Sequence, residues 1–432
     1  MNMTTAFGLK YTACGYESCN NGIFTIKNEF KIVFENGAFP NEFNRFELRY
    51  SSNKPLRCNI IYTEDGQTKE DDFFLEAGKK CFSCLIRDYL DGKYATDIKS
   101  FNVGSTYGEY VDFSLDNLDV SCFNLCDGDT YYVENDRYKI GIRLPWGGGI
   151  SYIEDKKYKE NGLKNLVNQA DTGRLIQQSY YGTGANGEYT PGEFNGSKWC
   201  YNPVQGGDKY QNHSRIIDIE VTDNSVYVKS QPQDWSLDGQ ITPSYMENKY
   251  TIGEDTIRVD NRFVDFSGWN HAIKSQELPA FYTVSYLSRF TLYNGSEPWT
   301  DGELQNEDNL NFWGDSRYAR ECTFLIKKSN TETWCAWSNK DIDFGIGLYV
   351  PNVDSYFAGK HEYNGSKDPE NWACNYVAPV NIKQMVSFEP IEYSYLITTG
   401  SVDGIRAVFK KNRDFADNRS LHENYTSRRI ED

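Results

Sequence analysis

Short runs of alternating apolar and polar residues recur along the whole chain. "RFELRY" (45–50), "RCNIIYT" (57–63), "DNSVYVKS" (223–230), "DTIRVDNRFVDF" (255–266) and "EYSYLITT" (392–399) each switch sides at every residue. They are bounded by Asn, Asp and Gly. A period of two between turn-forming residues predicts antiparallel strands with one buried and one wetter face. Helix-period stretches are scarce. The pattern therefore predicts an all-β protein.

The turn-rich "CDGDTYYVENDRYKIGI" divides the chain. Residues 1–127 have the size of a small β-sandwich, of the immunoglobulin-like or carbohydrate-binding-like kind, with Phe43, Phe46, Tyr50, Phe73 and Phe74 as expected core. "EAGKKCFSCLIRDYLDGKY" is expected to hold a short helix or loop. Residues 128–411 read as strand after strand with long polar insertions, giving a large antiparallel β region that carries the active site. Residues 412–432 form a charged tail. The insertion near 179–212 is too rich in Tyr and Trp for a disordered segment, and a loop of that length is commonly functional. "FGIGLYVP" (344–351) and "NYVAPV" (375–380) read as inner strands.

Composition narrows the partners. A formal net charge of −17 argues against nucleic acid, which rewards basic grooves. No stretch is long and apolar enough to span a bilayer, and the first residues lack the pattern of a secretory leader, so the chain is expected in the cytoplasm unless a leader was removed. The 11 cysteines are odd in number and scattered, which fits a reducing compartment. Cys81 and Cys84 form one CxxC without a second pair or a nearby His, so ordinary buried thiols are expected rather than a zinc or redox site. No metal and no cofactor are expected.

The stretch "DTGRLIQQSYYGTG" (171–184) crowds planar hydrogen-bonding groups together. In an extended strand Gln178 and Tyr180 share one face with Ile176 and Arg174, and Gln177 and Tyr181 share the other. One face would meet a cleft while the other packs inside. Sugars present rings of hydroxyls and weakly apolar faces, so bidentate side chains and aromatic platforms are what a glycan site needs. Arg174, Gln177, Gln178, Gln205 and Gln276 suit the first role, and Tyr180, Tyr181, Trp199, Trp235 and Tyr376 the second. The competing reading of the stretch is a buried polar network that locks the sheet.

Glycosidic cleavage commonly uses two carboxyl groups flanking the bond. Glu277 in "SQELPAFY" has apolar sequence neighbours that would raise its pKa toward a general acid. Asp208 in "NPVQGGDKY" follows a Gly-Gly where backbone can approach a ligand. Asp171 is the third candidate, and Asp234, beside Trp235, a weaker fourth. Of four histidines, His213 borders the long insertion and His361 lies in a polar loop, both candidates to touch substrate. His271 precedes Glu277 by six residues.

"VENDRYKIGIRLPWGGGISYIED", followed by "NLVNQADTGRLIQQSYYG", "WCYNPVQGGD", "SQELPAFY" and "NYVAPV", resembles a group of bacterial proteins with the galactose-mutarotase-like supersandwich, across residues 130–410. The resemblance implies that fold, an oligo- or polysaccharide partner, and a role in carbohydrate metabolism. It extends to a β-sandwich preceding the supersandwich. Epimerases of this fold use a His and a Glu as acid and base, and their His motif is absent here. The leading expectation is a glycoside hydrolase with carboxylate acid/base catalysis. The alternatives are a polysaccharide lyase with Tyr180 or Tyr181 as base and Arg174 on a uronate, a non-catalytic glycan-binding protein, and a sugar epimerase.

Overall fold

The computed structural model describes residues 1–432 apart from 6–7, 40, 125, 127, 159–161, 184–186, 312–321, 415–427 and 430–432. All five alternating runs become strands, but only the two in the first 64 residues keep a wetter face; Ser225–Gln231, Ile257–Asp265 and Ile391–Gly400 are buried on nearly every residue. Arg45–Ser52 buries every second residue, with Phe46, Leu48 and Tyr50 inward. Two six-stranded antiparallel sheets use residues 2–121, the second also taking Arg428–Arg429 at its edge. Between them Phe73 stacks on Phe82 and on Phe101, at ring separations of 5.1 and 5.7 Å. The "CFSC" motif lies within one strand, Gly78–Leu85, and a 3-10 turn over Tyr89–Asp91 follows. Residues three apart in a strand face opposite ways, so Cys84 is buried while Cys81 lies on the other face. All 11 cysteines are free thiols.

From residue 130 onward, two larger antiparallel sheets pack together, one of ten strands and one of nine. The chain is thus an all-β protein, a small sandwich followed by a large one. The ten-stranded sheet runs through Tyr138–Arg143, Gly149–Asp155, Ile176–Ser179, Asn270–Val284, Cys374–Val386 and Ser355–His361 in spatial order. Its inner face, with Ile176, Tyr180, Leu278, Phe281 and Val377, belongs to the main core. Its outer face holds a separate cluster: Ala280, Tyr376, Ala378 and Val380, with Tyr282 and Phe357 packed against it. "FGIGLYVP" supplies Phe344–Tyr349 of the nine-stranded sheet. A helix over Val402–Lys411, capped by Ser401, packs Phe409 on Trp334 and Tyr349. Among the described residues no helix is long and apolar enough to cross a membrane.

The small sandwich is tied to the nine-stranded sheet by buried charge. Arg262 is 1% exposed and meets Glu76 at 2.7 Å and Glu247 at 2.9 Å. Arg215 meets Asp71 at 3.1 Å, and Arg45 pairs with Asp218. Around them Phe74 stacks on Phe266 and the Tyr245 hydroxyl accepts from the Phe74 N–H.

Candidate functional site

The outer face of the ten-stranded sheet is built from facing strands. In antiparallel pairs, directly opposed residues project to the same side. Glu277 opposes Val380, Val380 opposes Ser355, and Ser355 opposes Leu325. The next rows hold Ala378 with Phe357, and Tyr282 with Tyr376. Glu277 therefore sits in an aromatic and aliphatic floor. Register slips against both neighbouring strands, between Glu277 and Phe281 against Cys374–Val386, and between Gln177 and Ser179 of Ile176–Ser179 against Asn270–Val284. Such bulges re-aim side chains and are concentrated near active sites.

Glu277 is half-buried. Tyr181 donates its hydroxyl to Glu277 Oε2 at 2.9 Å, and Tyr376 gives the carboxyl a second phenol hydrogen bond. Among the described residues, no ion pair reaches it. Burial pushes its pKa up from the ordinary carboxyl value, and the Tyr376 and Tyr181 hydroxyls pull the other way without cancelling the effect. Burial and the Glu277 charge in turn hold the Tyr181 phenol well above its ordinary value, and burial does the same for Tyr376 and Tyr282. The rings of Tyr282 and Tyr376 lie 4.5 Å apart.

Further along this face the chain adds a second polar group. Arg174 Nε meets Asp171 Oδ2 at 3.1 Å, and the guanidinium lies 3.9 Å from the Trp372 ring centroid while donating to the Trp372 carbonyl. The His361 ring approaches Trp372 edge-on at 5.5 Å. Burial raises the Asp171 pKa despite Arg174, and burial together with Arg174 lowers that of His361. Tyr282 links the two groups, because it feels the charges of Glu277, Asp171 and Arg174 alike.

The strand "RLIQQSYY" divides as alternation predicts, except at its start. Gln178 and Tyr180 point inside: Gln178 Nε2 donates to the Glu247 carbonyl at 2.9 Å and its Oε1 accepts from Tyr180 at 2.6 Å. Gln177 and Tyr181 take the other side, Gln177 bonding the Thr172 carbonyl and the Gly206 N–H. Arg174 departs from the pattern because it precedes the strand, in a turn closed by its own N–H on the Asp171 carbonyl. Gln205 lies fully buried between the sheets, bonded to Gly147, Asn248 and Tyr250. Gln276, also fully buried, clamps the Tyr181 backbone from both ends at 2.8 Å. It thereby positions the phenol that reaches Glu277.

Asp208 has both oxygens occupied. They accept from the N–H groups of Tyr210, Asn212 and Gly239 and from Asn212 Nδ2, at 2.7–2.9 Å. The preceding glycines are used for backbone contact: a Cβ at Gly206 would sit 2.1 Å from the Thr172 carbonyl oxygen. Asp208→Ala is expected to cost about 3 kcal/mol or more, since each stranded N–H loses roughly 1–3 kcal/mol. Urea denaturation measures this. Asp234 is similarly engaged, by Tyr189, Asn202 and Ser236. Trp199 bonds Asn202 at 3.0 Å and stands edge-on to Tyr181 at 6.5 Å. Trp235 packs against Gly173, and the exposed His213 accepts from Trp146 at 3.2 Å. His271 is buried beside Asp265, stacked on Tyr201.

The structure thus brings Glu277, Tyr181, Tyr376, Arg174, Asp171 and His361 to one face of one sheet. It places Gln178, Tyr180 and Gln205 in the interior. Tyr282, Phe357 and Trp372 complete the face and were not among the residues singled out by sequence. Their signal was adjacency: Tyr282 ends "SQELPAFY", and Trp372 stands three residues before "NYVAPV". Among the described residues no cluster of three or more His, Cys, Asp or Glu is arranged to hold a metal.

No protein-family profile matches the chain, and no curated protein matches it by sequence. Solved structures do. A galactose mutarotase related enzyme from Lactobacillus acidophilus aligns at 10% identity with a TM-score of 0.41, over 63% of this chain and 97% of its own. A galactose mutarotase-like protein from Lactobacillus casei aligns at 10% identity and a TM-score of 0.38, over 62% of this chain and 99% of its own. An alpha-galactosidase from Geobacillus stearothermophilus aligns at 10% identity and a TM-score of 0.37, over 66% of this chain and 42% of its own. The likeness in each case is one of β architecture.

Proposed function

We propose that the protein is a carbohydrate-active enzyme that hydrolyses a glycosidic bond, with Glu277 as the general acid. One observation carries the reading: a carboxyl held by two phenols, desolvated, in an aromatic floor at a double register slip. A group placed like this keeps its proton to higher pH and can deliver it to a leaving oxygen. In the proposed step the Glu277 proton passes to the glycosidic oxygen. The bond from that oxygen to the anomeric carbon breaks, its electron pair staying on the oxygen. Water adds at the anomeric carbon and releases its second proton to solvent, from which the Glu277 carboxylate is reprotonated. Asp171, ion-paired to Arg174 beside Trp372, lies toward the far end of this face and takes no part in the proposed step, although burial raises its pKa as well. Asp208, with four donors on its oxygens, serves the turn it closes.

The lyase alternative needs a phenol that ionises readily. Tyr181, Tyr282 and Tyr376 are all held well above the ordinary phenol range, which favours the hydrolase.

Reducing-end release from a glycan panel, followed against pH, tests the proposal. Activity needs protonated Glu277, so the rate should fall as pH rises through the elevated carboxyl pKa, with that limb above the ordinary carboxyl range. Tyr181→Phe removes a donor that favours the carboxylate, so it should move the limb to still higher pH. A limb at the ordinary carboxyl value, unmoved in that variant, would contradict the assignment. Unsaturated products would point to elimination instead.

A further inference from the structure

Trp372 is 53% exposed, yet it is not loosely placed. Arg174 lies under its ring and holds its carbonyl. Asn168 Nδ2 donates to the Asn371 carbonyl at 2.8 Å, and the Gln169 N–H to the Pro369 carbonyl at 2.7 Å. The Ala373 N–H donates to the Asn371 side chain at 3.0 Å. A large apolar side chain left open to water while its backbone is fixed on both sides is a preorganised surface. Its backing group is already neutralised, because Arg174 is paired with Asp171 at 3.1 Å.

Trp372 also has a defined distance from the chemistry. It stands two residues before Cys374, which opposes both Val284 and His361. Glu277 opposes Val380 on the same strand. Six residues at roughly 3.3 Å each separate those rows by about 20 Å. The rows between them carry Ala378 with Phe357 and Tyr376 with Tyr282; Ala378 and Tyr376 are buried beneath, and the partly exposed Phe357 and Tyr282 line the interval. A floor of this length is much longer than one sugar ring.

We infer that Trp372 is the stacking platform of a remote subsite, and that the substrate is an extended, uncharged oligosaccharide lying along this face from Glu277 to Trp372. The inference rests on the proposed function and names its substrate class. An uncharged chain fits because the guanidinium beside the platform is spent on Asp171, leaving the indole ring to meet an apolar sugar face.

Calorimetric titration of the Glu277→Gln protein with cello-, malto- and galacto-oligosaccharides of two to six units tests it. In at least one series, affinity should climb with length, by about ten-fold over the units that reach Trp372. Adding Trp372→Ala should abolish the climb and leave the shortest members unchanged, while adding Trp372→Phe should keep most of it. Equal affinities with and without Trp372→Ala at every length would overturn the platform. So would the absence of any binding across all three series. Turnover of the binding series by wild type and Glu277→Gln separates the two claims. Retained turnover in Glu277→Gln, with a climb still lost in Trp372→Ala, would remove Glu277 from the chemistry and keep the subsite.

Discussion

Glu277→Gln should abolish glycan cleavage, by about 10²–10⁴-fold in kcat, without harming the fold. Gln keeps the size of the side chain and an oxygen for the Tyr181 and Tyr376 hydroxyls. It cannot release a proton. The stability effect has a sign that a merely structural carboxylate would not show. The folded-state pKa of Glu277 is raised by burial, so folding favours its protonated form. That contribution is fully present below the ordinary carboxyl range and is lost as pH rises through the raised value. At pH 8 the wild type thus carries a desolvated charge that the variant lacks. The variant's thermal midpoint should equal or exceed that of the wild type at pH 8, and the difference should shrink below pH 4. A loss of activity accompanied by a large loss of midpoint at pH 8 would mean that Glu277 holds the sheet together.

Arg262→Ala should be the most damaging single substitution for folding, at about 3–5 kcal/mol. It would strand Glu76 and Glu247, the latter 1% exposed, at the seam between the small sandwich and the nine-stranded sheet. Desolvation raises the Glu76 pKa, but Arg262 and Lys80 outweigh it and hold the carboxyl far below its ordinary range. The stability this contributes is present above the ordinary carboxyl pKa and is lost as pH falls toward the depressed value. Acid unfolding of the wild type should therefore show a slope that the variant lacks. Urea denaturation of Arg262→Met combined with Glu76→Gln and Glu247→Gln should recover much of the loss, since a buried pair is worth little against neutral groups of similar size. If Arg262→Ala cost under 1 kcal/mol, the seam would not depend on this charge cluster.

Strands were the legible part of the sequence, because period-two burial is a local property of the chain. Arg45–Ser52 and Leu56–Glu64 follow the pattern residue by residue, whereas Ile257–Asp265 is buried on both faces. Glu277 was legible for a reason that the structure refines. Its apolar sequence neighbours Leu278 and Phe281 face the inner core, and its outer-face surroundings include Tyr181, Tyr282 and Tyr376 from three segments. The Gly-Gly before Asp208 suggested room for a ligand. The space is filled by the backbone of Thr172 and Asn212, a contact between segments that no local pattern encodes. Trp372 was illegible because a single Trp in a polar loop has no periodicity, and its partner Arg174 lies 198 residues away. The register slips beside Glu277 were equally hidden, since they exist only between paired strands.

The central claim, that Glu277 delivers the proton in a hydrolytic cleavage, is tested most directly by mass spectrometry. A glycan panel is digested in 18O-labelled water with wild type beside Glu277→Gln. The wild type should yield fragments that carry one added labelled water, and the variant none. Labelled fragments formed at the wild-type rate by Glu277→Gln would contradict it.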